Sequence, residues 1–484
     1  MALFLHLLFS IYSPFVSMNR MRIIALLVVS AVFCTSVCGQ GFRLTVKVPG
    51  YTEDELYLAY YLGDKQFIQD TATRNNSQFV FEGEDPLVPG FYLVVFPPDN
   101  AYFQLLIEEG DRDILVEVDP GQVQRPLRIT GSEESRRFYA YVDFISERRP
   151  RAESLRKELD AAEPSKRQRI EKELETLNDE VDERQLAVIR ERPQSLTAML
   201  IAANREIALP EFTGSEEEIN DQRFRYYRRH YFDHIPLDDP RVVRTPFLHE
   251  KIDYFINKLT VQSPDSISAS IDLILSKMDP DGDVFKIYLV YFLNTYAKSK
   301  IVGMDAVYVH VVNNYYAKGM APWTDEEQLS KIIQNARKLE PILIGRIAPD
   351  VQLQDQHDQT VTLHGVDAPY TVLYFWAPDC GHCKKSIPHL IEFYEAYRDK
   401  GVEVLAVCTK LRDEVAECWE AVENRGMHIW MNAVDPLLRS RYKQIYDVRV
   451  TPKIFVLDKD KRIVMKNIGA EQLPQVMDHL LENQ

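Results

Sequence analysis

Two cysteines three residues apart, placed where an apolar run turns into a helical pattern, constrain this chain more than any other feature. Residues 370–388 read YTVLYFWAPDCGHCKKSIP. The β-branched and aromatic run 371–376 predicts a buried strand. Ala377-Pro378-Asp379 turns it, and Cys380-Gly381-His382-Cys383 opens a helix. A cysteine at a helix N-terminus faces unpaired N–H groups and the positive end of the macrodipole, both of which favour a thiolate. The second sulfur lies on the same helical face, near enough to close a disulfide. One thiol attacks and the other resolves, so these residues point to a dithiol/disulfide redox pair. Two plainer readings use the same residues. One is half a zinc site, but no second cysteine pair has ligand spacing, and His382 and His389 would need distant partners. The other is a purely structural disulfide.

The stretch resembles the thioredoxin superfamily and, more narrowly, its TlpA/ResA-type thiol-disulfide oxidoreductases. Trp376-Ala377-Pro378 before the first cysteine and Pro388 five residues after the second match the superfamily pattern. So do Val450-Thr451-Pro452, just ahead of the strand-like run 453–457, and Gly345-Arg346-Ile347-Ala348-Pro349-Asp350 at the opening. The resemblance covers residues 344–484 and implies several roles. Cys380 is the nucleophile and Cys383 the resolving thiol, closing a redox-active disulfide between them. Pro452 is cis, follows Thr451, and shapes the substrate groove. Trp376 packs beside the sulfurs. His382 hydrogen-bonds or ion-pairs with the Cys380 thiolate and shifts the couple toward an oxidant. Cys-Gly-His-Cys is also the active-site string of protein disulfide isomerases. The resemblance implies no cofactor and no metal. Two departures stand out. A thioredoxin's buried acid is replaced by Tyr374, and the Glu of ResA-type reductases by Ser386. The usual proton acceptors for the resolving thiol are therefore missing.

Ahead of this domain, residues 1–39 read as a signal peptide. Arg20 and Arg22 form a basic start, 23–33 an apolar run, and small residues end at Gly39. The run is short for a spanning helix. Cys34 and Cys38 raise a lipid anchor as the alternative to soluble export, although neither has the usual Leu at −3. The chain is therefore expected in the periplasm or outer cell envelope, where disulfide chemistry is permitted. After the signal only Cys380, Cys383, Cys408 and Cys418 remain, so the fold is expected not to depend on disulfide staples. Cys408 and Cys418 read first as buried small hydrophobes, with a 408–418 disulfide or a regulatory thiol as alternatives. A net charge of −16 over 484 residues, with no basic-aromatic stretch, argues against nucleic acid as a partner.

Residues 40–130 carry short alternating or apolar runs between Gly, Pro and Asp turns, the pattern of an all-β sandwich. Their order resembles the β-module found ahead of thioredoxin-like domains in Bacteroidetes proteins. Residues 131–339 turn helical, starting from a cap signal at Ser132. Charged, amphipathic 151–192 reads as a helical hairpin broken near Pro164. It is either a solvated face or an arm for a homodimer. Residues 340–484 follow the βαβ…ββα order of a thioredoxin fold.

The expected architecture is thus multi-domain: an N-terminal all-β sandwich, a central all-α region and a C-terminal α/β thioredoxin fold. The expected activity is disulfide exchange with protein thiol or disulfide substrates, coupled to a membrane redox partner. The rival reading is a non-catalytic envelope module carrying a degenerate thioredoxin-like domain. A peroxidase reading lacks the Thr-x-x-Cys motif of that subfamily.

Overall fold

A computed structural model describes residues 41–482; the signal-peptide and lipid-anchor expectations fall on residues outside that range. The first eight strands are β1 (Phe42–Lys47), β2 (Glu55–Leu62), β3 (Lys65–Thr73), β4 (Gln78–Gly83), β5 (Gly90–Phe96), β6 (Ala101–Ile107), β7 (Asp113–Glu117) and β8 (Arg128–Thr130). They form two four-stranded sheets, ordered β4-β1-β7-β8 and β3-β2-β5-β6. Alternate residues of both, Leu44 and Phe81 from one and Leu58 and Val94 from the other, share one buried cluster, so the sheets pack as a sandwich. One pairing, β1 with β7, is parallel.

Gly131 joins the sandwich to the helices. Its φ of +85° lies in the left-handed region, and a Cβ there would meet the Asp113 carbonyl oxygen at 1.8 Å. Ser132 then caps α1 (Glu133–Asp160), accepting from the Ser135 amide at 3.3 Å. α1 runs on through Pro150 and pairs with α2 (Pro164–Glu191), so the hairpin begins well before residue 151. A proline interior to a helix removes one backbone hydrogen bond. Cross-arm ion pairs lie on either side of it, Arg148–Glu180 at 3.1 Å and Arg151–Glu173 at 2.5 Å.

The remaining helices of the central region are α3 (Leu196–Asn204), α4 (Glu216–His230), α5 (Pro246–Lys258), α6 (Pro264–Leu275), α7 (Asp283–Ala297), α8 (Asp305–Val311) and α9 (Glu326–Leu339). Phe255, Ile271, Tyr288 and Val307 sit in their common core, together with Tyr231, Tyr296, Tyr308 and Tyr316. The Asp279–Asp283 stretch is the turn between α6 and α7, tightened by the Asp281 amide on the Asp279 carboxylate.

The C-terminal part comprises β9 (Gln352–Gln354), β10 (Thr360–Thr362), β11 (Tyr370–Trp376), α10 (Gly381–Tyr397), β12 (Val402–Cys408), α11 (Val415–Asn424), β13 (Met431–Val434), α12 (Tyr442–Ile445), β14 (Lys453–Leu457), β15 (Ile463–Lys466) and α13 (Leu473–Glu482). One seven-stranded sheet, β10-β9-β13-β12-β11-β14-β15, runs through it. β11 is central, parallel to β12 and antiparallel to β14, and all seven of its residues are buried. Val372, Tyr374 and Trp376 face a core shared with α10, α11 and α13, whereas Leu373 and Phe375 face the opposite one with Tyr442 and Tyr446. The short β10, β13 and α12 carry too few residues to set up a periodicity, and the sequence did not announce them. Among the described residues no helix is long and apolar enough to cross a membrane.

A buried charge pair ties this sheet to the helices. Lys466 on β15 is 1% exposed and meets Asp305 of α8 at 2.5 Å. Its ammonium also donates to the Ile342 carbonyl at 2.7 Å. Removing one partner of such a pair strands the other charge in a dry site. Asp305→Ala is therefore expected to cost about 3 kcal/mol, with a smaller loss in the joint Asp305→Leu, Lys466→Met variant. Chemical denaturation curves of the three proteins test this ordering.

Candidate active site

β11 delivers the chain to the surface, and the 377–379 turn hands it to α10 with Cys380 as the capping residue. The Cys380 sulfur accepts from the Cys383 amide at 3.2 Å. Its thiol also lies 3.2 Å from the Thr451 carbonyl oxygen, to which the S–H donates. The Thr451–Pro452 peptide is cis. Antiparallel pairing of β11 with β14, Phe375 opposite Lys453, carries that peptide to the sulfur from the far side of the sequence.

The two thiols differ in setting. Cys380 is partly exposed, and Cys383 is fully buried against Trp376 and Tyr374 in one cluster. Burial works against the Cys380 thiolate. Hydrogen bonds from Cys383, at Thr451 and from the Cys383 and His382 backbone outweigh it and hold the thiol below the ordinary cysteine range. Burial, together with the neighbouring Cys380, pushes the Cys383 thiol up to about 11. In this structure both are free thiols.

His382 is exposed, and its side chain lines the groove beside Pro452 together with Lys385 and His389. It reaches the sulfur through its backbone; no hydrogen bond joins its imidazole to Cys380 among the described residues. Trp376 is fully buried, and its indole N–H lacks a hydrogen-bond partner there.

Tyr374, standing where a buried acid was expected, is completely enclosed. Among the described residues its hydroxyl has no hydrogen-bond partner, and it faces the Cys383 thiol. Burial first, and then that sulfur, hold its pKa far above the usual tyrosine value; Arg425 nearby acts in the opposite sense.

Two further contacts were not visible in the sequence, and a third feature was there only as an alternative. Arg425 donates to the Pro378 carbonyl at 2.7 Å and keeps a second buried nitrogen without a partner. Lys410 meets Asp379 at 3.1 Å and Glu417 at 3.3 Å, bracing the turn ahead of Cys380. Cys408 and Cys418 form a disulfide. This corrects the expectation of two buried hydrophobes in a fold without staples. Cys408 ends β12, Cys418 lies on the inner face of α11, and their Cα atoms are 6.2 Å apart, within bridging range. Two cysteines ten residues apart in one βα unit were the available signal. The bridge closes the loop that carries Lys410, beside the Trp376–Cys408 pairing of β11 and β12. Among the described residues no group of three or more His, Cys, Asp or Glu could hold a metal ion.

Residues 344–466 match the model of the AhpC/TSA family. Residues 42–138 and 166–339 match two models described only as domains of unknown function, DUF4369 and DUF5106. The thiol-disulfide oxidoreductase ResA of Bacillus cereus is 29% identical over 144 residues, which span 29% of this chain and 79% of that protein. ResA of Bacillus subtilis is 26% identical over 144 residues, 76% of its length. Two solved structures are also similar. A domain of a possible thiol-disulfide isomerase from Cytophaga hutchinsonii is 33% identical, covering 29% of this chain and 95% of that one, with a TM-score of 0.28. A thioredoxin-like protein from Bacteroides caccae is 21% identical, covering 58% and 98%, with a TM-score of 0.42. Fold and relatives place the C-terminal part of the chain in the class of thiol-disulfide oxidoreductases. Residues 344–466 are a thioredoxin-like domain similar to the AhpC/TSA family.

The two thiols should separate by pH. A thiolate forms as pH rises through the thiol pKa, so a lowered value brings reactivity on earlier and a raised value delays it. In the reduced protein, iodoacetamide should modify Cys380 at pH values below the ordinary cysteine midpoint of about 8.5. Cys383 should react only toward pH 11. Mass spectrometry of the alkylated peptides reads the order. The Cys408→Ala, Cys418→Ala double variant should lose about 2–4 kcal/mol of stability, visible as an earlier thermal transition.

Proposed function

We propose that the chain is an exported thiol-disulfide oxidoreductase that exchanges disulfides with protein cysteines through Cys380 and Cys383. The observation that carries this reading is the split between the two sulfurs. One is accessible and favoured as thiolate beside a cis proline; the other is buried and held protonated. In the reducing direction the Cys380 thiolate attacks one sulfur of a substrate disulfide. The substrate S–S bond breaks, and the departing sulfur leaves as a thiolate that takes up a proton. Cys383 then attacks the Cys380 sulfur and closes the 380–383 disulfide. The second substrate thiol is released and takes the proton that Cys383 loses. Run backwards, the same steps oxidise a substrate dithiol.

Tyr374 serves the second step. Its hydroxyl faces Cys383 and remains protonated at any working pH, so it can donate a hydrogen bond to the thiolate as that forms. A buried carboxylate would instead accept the proton. Arg425 adds positive charge to the same enclosure. The lowered Cys380 pKa stabilises the reduced form and moves the couple toward an oxidant. Export is supported by the basic and apolar pattern of residues 20–39 and by a second disulfide, Cys408–Cys418, which suits an oxidising compartment. A membrane electron carrier would then be the redox partner. The charged α1–α2 arm is the surface for self-association, to be read by sedimentation of the full chain.

Equilibration of the full mature chain with glutathione buffers tests the exchange reading. The expected couple lies above the value of about −270 mV typical of thioredoxin. A Cys380–Cys383 pair that stays open at every poise would overturn the reading and leave a binding module. Cys383→Ser should accumulate mixed disulfides with substrate, and Cys380→Ser should form none. Tyr374→Phe should slow release of the mixed disulfide about 10- to 100-fold, since a hydrogen bond to a charged group is worth about 1.5–3 kcal/mol. Its first attack should be nearly unchanged, a contrast that stopped-flow single turnovers resolve.

A further inference from the structure

Two hollows meet beside the cysteine pair. The larger, about 780 Å³, lies between the first turns of α10 and the Thr451–Pro452 segment. The smaller, about 380 Å³, lies between the β14–β15 side of the sheet and the α7–α8 turn of the helical region, residues 299–305. Asp447, Arg449, Lys453 and Asn467 line both, so the two hollows adjoin and form a cleft that runs from His382 and Pro452, beside the cysteine pair, to the helices.

The helical wall of this cleft is fixed rather than loosely apposed. Lys466 bonds Asp305 at 2.5 Å and the Ile342 carbonyl at 2.7 Å, and Arg449 reaches Asn335 of α9 at 3.5 Å. These contacts also settle the charge balance. Asp305 is matched by Lys466, and Asp447 by Arg449 at 2.7 Å. Lys300, Lys385 and Lys453 then remain against Glu471. Burial lowers the Lys453 pKa to about 8, so much of its charge persists near neutral pH. In a chain of net charge −16 this cleft is a local cationic exception. Its rim is apolar at both ends: Val450 beside the cis proline is 73% exposed, and Ile301 at the helical end is 68% exposed.

We propose that the thioredoxin-like domain and the helical region together form an extended peptide-binding site. Its occupant is a substrate segment whose reacting cysteine is flanked, on the side toward the helices, by acidic and apolar residues. The acidic side chains meet Lys453 and Lys300, and the apolar ones cover Val450 and Ile301. The helical region thus selects among protein disulfides, while the cysteine pair does the exchange. That the bound segment carries a cysteine rests on the exchange chemistry proposed above.

The test uses the full mature chain, oxidised, and fluorescent peptides in which serine replaces cysteine. One is a five-residue core; the others extend it to about twelve residues, long enough at ~3.3 Å per residue to reach past the cysteine pocket. One extension carries Glu and Leu, the other Lys and Leu. Fluorescence anisotropy should show the acidic peptide binding about tenfold tighter than either of the others. Lys300→Glu, on an exposed turn, should weaken the acidic peptide about tenfold and strengthen the lysine peptide. Equal affinity for the three peptides, or an order untouched by Lys300→Glu, overturns the proposal. Binding of serine peptides requires no thiol chemistry, so glutathione equilibration reports separately on exchange. Selective binding without a closing disulfide would leave the cleft standing and remove the redox reading; exchange without peptide selectivity would do the reverse.

Discussion

Burial of β11 on both faces is the constraint from which the rest of the C-terminal structure follows. A strand with no solvent face must be covered on one side by α10, α11 and α13 and on the other by the layer around Tyr442 and Tyr446. Its neighbours are then set by hydrogen bonding, β12 on one edge and β14 on the other. Because the chain leaves β11 at the rim and enters α10 at once, Cys380 sits at a helix start beside the end of β14. Strand pairing thereby brings the Thr451 carbonyl to within 3.2 Å of its sulfur. The site is a consequence of sheet order rather than of any contact local to the motif.

The same layering separates the chemistry of two cysteines only three residues apart. Cys380 caps the helix and gathers backbone donors at the surface. Cys383, one turn further, points into the core occupied by Tyr374 and Trp376. In a short peptide both sulfurs would meet water and titrate alike. Here burial raises one, hydrogen bonding lowers the other, and an ordered pair of steps becomes possible. Around them Arg425, Lys410 and the Cys408–Cys418 bridge fix the turn at Pro378 and Asp379, each arriving from outside the motif.

Much of this was legible because it is encoded locally. The strand-turn-helix passage, the N-cap at Ser132, the break near Pro164 and the alternating runs of the sandwich each depend on residues within a few positions of one another. The short elements β10, β13 and α12 were not legible, since three or four residues cannot display a period. The hairpin reads from residue 151 in the sequence because the dense charged, amphipathic pattern starts there, while α1 begins at Glu133 and continues through Pro150. The 408–418 bridge was carried only as an alternative, because spacing alone cannot say that a strand end and a helix face will lie 6.2 Å apart.

By itself the sequence determined the order of all-β, all-α and α/β regions and the identity of the cysteine pair, because hydrophobic period and turn chemistry are short-range properties. It also determined that no acid stands at the place of Tyr374. Only the tertiary structure decided what that tyrosine faces, which surface His382 lines, and that Lys466 is buried against Asp305 from 161 residues away. It alone set two hollows against the same four residues, Asp447, Arg449, Lys453 and Asn467. Those outcomes depend on distances between segments far apart in the chain. Such distances are set by strand pairing and by the desolvation of charges brought together, neither of which is written in any single stretch of residues.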